Sequence, residues 1–402
     1  MKFLHLSDLH LGKTLHQYSL IDCQADMLSQ VCRAVEQQKP DAVFISGDIY
    51  DRSVPSIEAV RLFDQFLSDL TMQDPAPAVL MISGNHDSGE RLRFAGDILK
   101  NHLIYIAGRP PASETEKMMC VRFEDEYGPV FVHLLPFVRP GMVRRLIRNA
   151  EQDGFGFSAE AYSYTDAVRG VLACADIKMS DRNILLSHQF YTADGFCPET
   201  SDSEVRSVGM IDQVDVSCLK AFDYVALGHL HKAQTVGRDV VRYCGSPLKY
   251  SVSECGQEKS ITVVTLREKG RPLKLQTIPI VPLHDVRTLS GSLQELLAAG
   301  RRSPTEDFVS VTVTDEGPVS YPREQLLEVF PNLLEVKYDN RRIRAMMSGV
   351  QEDVLLDGEP DMEEAFAEFY RQMHGCEMSE EEQAFVSAIL QNVADGMEGS
   401  GQ

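Results

Sequence analysis

The sequence predicts an α/β protein, and three observations carry that prediction. Apolar runs alternate with an amphipathic helical pattern in the opening third, strand signals dominate from Met118 onward, and several runs end in Gly, Asp or His. Lys2–Ser7 reads as a buried strand. Ala42–Ser46 (AVFIS) and Val79–Ser83 (VLMIS) are further buried strands, each followed by glycine. Between them Ile57, Val60, Phe63, Leu67 and Leu70 recur at helical spacing, and Pro55 suits a first helical turn. This is a βαβ pattern, which places functional residues just beyond the C-terminal ends of the strands. The runs MMCVRF, VFVHLL, ILLSH, YVALGH, ITVVTL and LKLQTI then supply a sheet-rich second half, so that one sandwich domain ends near residue 280.

Pro279 and Pro282 flank that boundary. Beyond it a helix (Leu293–Ala298), a strand (Phe308–Val313), a helix (Arg323–Phe330) and a strand (Leu334–Tyr338) suffice for a small α+β domain over residues 281–345. The basic patch Arg341, Arg342, Arg344 gives way to an acidic segment, 346–402. There Met362, Ala365, Phe366, Phe369 and Met373 form one helical stripe. Ser379 and Glu382 read as a capping box opening a second helix, with Phe385, Ile389 and Val393 on one face.

Composition narrows the class. A chain of 402 residues should form two or three domains, and 43% hydrophobic with 25% charged residues is ordinary for a globular protein. The opening MKFLHLSDLHLGK is too polar for a signal peptide, and no apolar stretch approaches the roughly 20 residues that span a bilayer. Nine scattered cysteines without a C-x-x-C argue against a disulfide framework and for a reducing cytoplasm; small buried hydrophobes are their expected role. The net charge of −21 is concentrated in the tail: residues 351–402 hold 14 acids and one base, the first 350 residues 46 acids and 38 bases. With no strongly basic domain, any grip on a phosphate backbone must be local, metal-based or supplied by a partner. Arg139, Arg144, Arg145 and Arg148, on an expected helix, are candidates for such a grip, although a solvated face is the commoner use of such a row.

Five short motifs each fall at a strand end: Asp8-Leu9-His10, Gly47-Asp48-Ile49-Tyr50-Asp51, Gly84-Asn85-His86-Asp87, His188, and Gly228-His229-Leu230-His231. Any one alone is ordinary turn chemistry. Together they offer carboxylates, an amide oxygen and several imidazoles, the inventory for two divalent cations bridged by one carboxylate. Two cations about 3.5–4 Å apart cancel the repulsion between an anionic phosphodiester and an anionic nucleophile, and they make that nucleophile at neutral pH. Mixed nitrogen and oxygen ligands suit Mn²⁺, Fe²⁺ or Zn²⁺ better than Mg²⁺.

The ordered set D-x-H, G-D-x-x-D, G-N-H-D, H, G-H-x-H resembles the calcineurin-like metallophosphoesterase signature. Within it, Ser201-Asp202-Ser203-Glu204, Phe222–His229 and Tyr243–Tyr250 resemble the SbcD branch of nuclease subunits. The resemblance implies a four-layer αββα metallophosphoesterase sandwich over residues 1–280, a DNA-facing α+β capping domain, and C-terminal helices that dock an SbcC-type SMC-like ATPase. It implies that Asp8, His10, Asp48 and His231 surround one metal, most simply Mn²⁺, and that Asp48, Asn85, His188 and His229 hold the other. His86 is then the proton donor to the leaving 3′ oxygen, with Asp51 and Asp87 orienting the site. Further implications are a 3′→5′ double-strand exonuclease and single-strand or hairpin endonuclease in DNA repair, recombination and replication, a nuclease homodimer in a two-plus-two assembly, and a nucleoid-associated cytoplasmic location. Arg52 is followed by Ser53 where the family's protein phosphatases have glycine, which weakens a phosphoprotein substrate. Two alternatives stand beside this: a stand-alone nucleotide phosphodiesterase or phosphatase, which has no need of residues 281–402, and a non-catalytic scaffold, which should have lost ligands. The chain has no Walker A motif, so any ATP dependence comes from another polypeptide.

Overall fold

The apolar runs are continuous rather than alternating because both faces of their sheets are covered. In the computed structural model, which describes residues 1–113, 115–146, 163–193, 197–204, 212–317, 319–339 and, further on, 366–367, 370–371, 378–379, 382–383 and 385–387, they form two six-stranded sheets. The first has the order Lys274–Pro279, Ser260–Thr265, Lys2–Leu6, Ala42–Ser46, Ala78–Ile82, Ile104–Ala107, parallel from Lys2–Leu6 to Ile104–Ala107. The second runs Gln234–Val236, Arg238–Tyr243, Tyr224–Leu227, Arg182–Ser187, Gly128–Leu135, Met119–Asp125, with its four inner strands parallel.

Alternation along each strand separates three cores. Phe3, Phe44, Leu80 and Ile82 meet Val130, Leu134, Ile184, Leu186 and Tyr224 between the sheets. Leu4, Leu6, Val43, Ile45 and Met81 face outward onto the helices Ile21–Gln38 and Ile57–Thr71, through Met27, Val31, Val35, Phe63, Phe66 and Leu70. On the far side Leu135, Leu185, Val225 and Leu227 pack on the helix Tyr164–Ala173 through Ala167, Val168 and Val171. The result is helix, sheet, sheet, helix: the expected four layers. Each large apolar side chain so buried contributes roughly 1.5–3 kcal/mol.

Several local expectations need correction. Pro55 precedes the helix rather than entering it; Ser56 is the cap, its side chain accepting from the Ala59 amide at 3.2 Å. That helix buries Ala59, Phe63, Phe66 and Leu70, leaving Ile57 and Val60 exposed, so its inward arc is rotated from the predicted stripe. Arg139 is extended rather than helical, because Pro140 follows it and clashes with helical backbone at the preceding residue. Arg144 and Arg145 are helical and exposed, and Arg148 lies outside the described residues. Cys23 and Cys244 are buried as expected, but Cys120 and Cys197 are exposed.

A third sheet, Val286–Gly291, Phe308–Val313 and Leu333–Tyr338, carries the helices Leu293–Arg302 and Pro322–Leu327 on one face. Its first two strands are parallel, joined by Leu293–Arg302, which opens on a Ser292–Glu295 capping box. Val286, Phe308 and Leu334 on its other face join the core beside Ile21–Gln38. The chain divides into two compact units, Met1–Val313 with Val319–Lys337, and Thr314–Pro318 with Tyr338–Gln402. In the second unit the predicted capping box forms: the Ser379 amide donates to the Glu382 carboxylate at 2.8 Å, and the Glu382 amide donates back to the Ser379 hydroxyl at 3.4 Å. Arg341, Arg342, Arg344, Met362, Ala365, Phe369, Met373, Ile389 and Val393 lie outside the described residues. Among the described residues no helix is long and apolar enough to cross a membrane.

Candidate metal centre

The site forms where the parallel strands of both sheets end. Asp8 follows Lys2–Leu6, Asp48 follows Ala42–Ser46 and Asn85 follows Ala78–Ile82; His188 and His229 follow Arg182–Ser187 and Tyr224–Leu227. The sheets are stitched at this edge through Ser46, whose hydroxyl donates to the Ala226 carbonyl at 2.9 Å and whose carbonyl accepts from His188 Nδ1 at 2.7 Å. Only glycine fits at position 228, because a Cβ there would stand 2.1 Å from the Ser46 carbonyl oxygen.

Backbone strain gathers here. Asp8, His10, Asp48 and His229 have φ of 54°, 42°, 49° and 99°, a left-handed region costing about 1–3 kcal/mol per non-glycine residue. Neighbouring groups hold these turns. The Asp8 and His10 amides donate to the Gly47 and Asp48 carbonyls at 3.0 Å. Buried Gln24 accepts from the Gly12 amide at 2.9 Å and donates to the His10 carbonyl at 2.7 Å.

Acceptor atoms converge on one another. His188 donates through Nδ1 to Ser46, which aims its Nε2 into the cluster, 3.1 Å from Asn85 Oδ1 and 3.2 Å from Asp48 Oδ2. The same Asn85 oxygen lies 3.1 Å from His229 Nδ1. His10 Nε2 and His231 Nε2 face each other at 3.2 Å, with Asp48 Oδ2 3.7 Å from the former. Ligand atoms of Asp8, His10 and His231 form one group able to hold an ion, and those of Asp8, Asp48 and His188 form another. Carboxylates, an amide oxygen and imidazoles fit divalent cations.

The electrostatics ask for positive charge. Burial pushes the Asp8 carboxyl up, against the pull of His188 and His231. Burial acts likewise on Asp48, but His188 and His10 outweigh it and hold that carboxyl well below the usual range. Burial alone would lower His188, but Asp48 and Asp8 raise it to about 9. Burial and the neighbouring His188 hold His229 down to about 3, neutral and ready to ligate.

The calcineurin-like phosphoesterase model matches residues 1–233, more than half of the chain and every motif above. The chain belongs to that family. As a calcineurin-like phosphoesterase it is a hydrolase of phosphate esters that uses divalent metals. The SbcD_C model, described as the type 5 capsule protein repressor C-terminal domain, matches residues 282–374. The D subunit of the nuclease SbcCD from Staphylococcus epidermidis is 29% identical over 340 residues, covering 83% of this chain and 84% of its own length, which bears out the SbcD resemblance. Among solved structures, TT1561 of Thermus thermophilus is 15% identical with TM-score 0.38, covering 69% of this chain and 98% of its own. A dimetal phosphatase from Danio rerio is 14% identical with TM-score 0.38, covering 70% and 97%.

All seven ligand candidates of this calcineurin-like centre, Asp8, His10, Asp48, Asn85, His188, His229 and His231, lie in one cluster. His86 stands at its rim, half-buried, its ring edge-on to His10 at 4.9 Å and its Nδ1 donating to the Asp51 carbonyl at 2.9 Å. Asp51 faces His10 Nδ1 at 3.6 Å and pairs with Lys13 at 2.8 Å. Asp87 touches no imidazole among the described residues; it accepts from the Ile49, Tyr50 and Gly84 amides at 2.9–3.1 Å and so ties two ligand loops together. Burial and Asp48 raise its carboxyl to about 6.

Sequence reasoning assigned no role to Glu254, Lys259, Ser203 or Phe137. Glu254 and Lys259 are buried and paired at 2.6 Å behind His231. Phe137 lies along His229, ring centroids 6.5 Å apart, with the Arg139 guanidinium 5.5 Å from its ring centroid. Its place after the strand Gly128–Leu135 was the available signal, since the other site residues also follow strands.

Proposed function

We propose that the chain is a two-metal DNA nuclease, the catalytic subunit of an assembly with an SbcC-type SMC-like ATPase. The supporting observation is the convergence of seven candidate ligand side chains at the joined sheet edges, with His86 at the rim, its Nδ1 on the Asp51 carbonyl. The Staphylococcus epidermidis relative is named as a subunit of the nuclease SbcCD, which supports DNA as substrate and the ATPase as partner.

In this reading Asp8, His10, Asp48 and His231 hold one cation, and Asp48, Asn85, His188 and His229 hold the other, most simply Mn²⁺. The cations supply charge neutralisation and a nucleophile at neutral pH. Asp48 and the two loops tied by Asp87 fix the ligands before substrate arrives. As the imidazolium, His86 would donate through Nδ1 to the Asp51 carbonyl and hold its second proton on Nε2 for the substrate side; that proton passes to the 3′ oxygen as the P–O3′ bond breaks and water adds to phosphorus, the water's own proton leaving to solvent, from which His86 is reprotonated. Exposed Arg139, 5.5 Å from the centroid of the Phe137 ring that lies along His229, is the candidate for a phosphate contact. Residues 281–345 serve as the capping domain toward DNA, and the acidic segment 346–402 docks the ATPase. The assembly is two-plus-two through a nuclease homodimer, located in the cytoplasm at the nucleoid. It cleaves duplex ends 3′→5′ and opens single strands and hairpins.

A substrate panel with and without the ATPase subunit tests this. Mn²⁺-stimulated nucleotide release from duplex ends is expected, falling about 10²–10⁴-fold in His86→Ala while metal content stays unchanged. Hydrolysis of bis-(p-nitrophenyl) phosphate with none of DNA, even beside the ATPase, would instead establish a small-substrate phosphodiesterase.

A further inference from the structure

His231 must present its Nε2 lone pair toward His10 if it is to ligate, so its Nδ1 must carry the proton. The structure shows what enforces that choice. Lys259 Nζ lies 2.6 Å from Glu254 Oε2, 2.8 Å from Ser246 Oγ and Gln257 Oε1, and 2.9 Å from the His231 carbonyl. An ammonium only donates, so Glu254 meets it as an acceptor. The other Glu254 oxygen, Oε1, lies 2.6 Å from Ser203 Oγ. The serine hydroxyl has one hydrogen and a carboxylate has none, so Ser203 donates to Glu254. Ser203 Oγ is also 2.7 Å from His231 Nδ1, toward which it can then only accept. Glu254 Oε1, 3.3 Å from the same nitrogen, is a second acceptor. Nδ1 is therefore protonated and Nε2 bears the lone pair.

The backbone of His231 is gripped as well. Its amide donates to Glu204 at 2.6 Å and its carbonyl accepts from Lys259. Glu254 is fully buried and Lys259 is 9% exposed, so water has little access with which to replace either.

We infer that Lys259, Glu254 and Ser203 form a hydrogen-bonded relay that fixes the tautomer and aim of His231, making them positioning residues for one cation of the centre. The relay rests on the two-cation reading proposed above. Losing the partner behind a metal-ligating histidine typically costs 10–100-fold in metal affinity.

The test is titration of the full-length chain with Mn²⁺, read by electron paramagnetic resonance, with folding checked by circular dichroism. Ser203→Ala keeps the Lys259–Glu254 pair and so keeps the fold. It should weaken one of two Mn²⁺ sites about 10-fold or more and leave the other unchanged. Ser203→Thr, which retains the hydroxyl, should restore it. Glu254→Gln, where it folds, should weaken the same site at least as much. Two ions bound with wild-type affinity by Ser203→Ala overturn the relay alone. Fewer than two ions on the wild type overturn the two-cation reading and the relay with it.

Discussion

Gly228→Ala is the perturbation whose effect the geometry specifies most closely. An added Cβ at this position would lie 2.1 Å from the Ser46 carbonyl oxygen and 2.8 Å from His188 Nδ1 and Ser7 Cβ, whereas ordinary contacts begin at 3.4 Å. The strand ends must therefore separate by about 1 Å, and none of the three neighbours is a flexible side-chain tip. Ser46 holds His188 at 2.7 Å and Gly228 precedes His229, so that movement pulls two ligand candidates away from Asn85. Overpacking of this kind destabilises by roughly 1–3 kcal/mol. A misplacement of about 1 Å in a catalytic constellation costs on the order of 100-fold in rate. Urea denaturation and Mn²⁺-dependent phosphodiester hydrolysis on the same preparation measure both. A folded Gly228→Ala protein with wild-type rate and wild-type metal affinity would refute the reasoning, because the sheet edges would then be free to part without disturbing the site.

Two other outcomes rest on buried groups away from the metals. Arg182 is buried and grips Asp125 through both terminal nitrogens, at 3.0 and 2.5 Å; Asp125→Asn removes the charge partner and should destabilise by about 3 kcal/mol, read as a lower urea midpoint, with no loss expected for an exposed pair such as Arg93–Asp97. His5 is held down to about 3, first by burial and then by Arg242, so it stays neutral when folded while the unfolded chain takes up a proton near about 6.5. Its contribution is thus intact above that pH and lost as pH falls from about 6.5 toward 3. Urea midpoints at neutral and acid pH should fall more steeply for the wild type than for His5→Gln, and parallel lines would contradict the assignment.

Much of this molecule was legible because its chemistry sits at strand ends, and strand ends are local signals. AVFIS-Gly-Asp and VLMIS-Gly-Asn announce both a buried strand and the polar turn that ends it, and the strands Ala42–Ser46 and Ala78–Ile82 deliver Asp48 and Asn85 to one edge. The partnering of Ser260–Thr265 with Lys2–Leu6 was not legible, since nothing in ITVVTL names a neighbour some 260 residues away. The strand Val286–Gly291 also went unread: only Val286 is fully buried, so VRTLSG looks polar. At the site, the relay behind His231 was hidden for a similar reason. Ser203 lies some 50 residues before the polar stretch that holds both Glu254 and Lys259, and only the closed fold makes a buried carboxylate of one and a buried ammonium of the other.

The most direct measurement is the anomalous difference density of a crystal grown with Mn²⁺. Two peaks about 3.5–4 Å apart are expected, bridged by Asp48, one within coordination distance of His10 and His231 and the other of Asn85, His188 and His229. A single ion, or ions bound elsewhere while these side chains keep their contacts with one another, would contradict the two-cation centre.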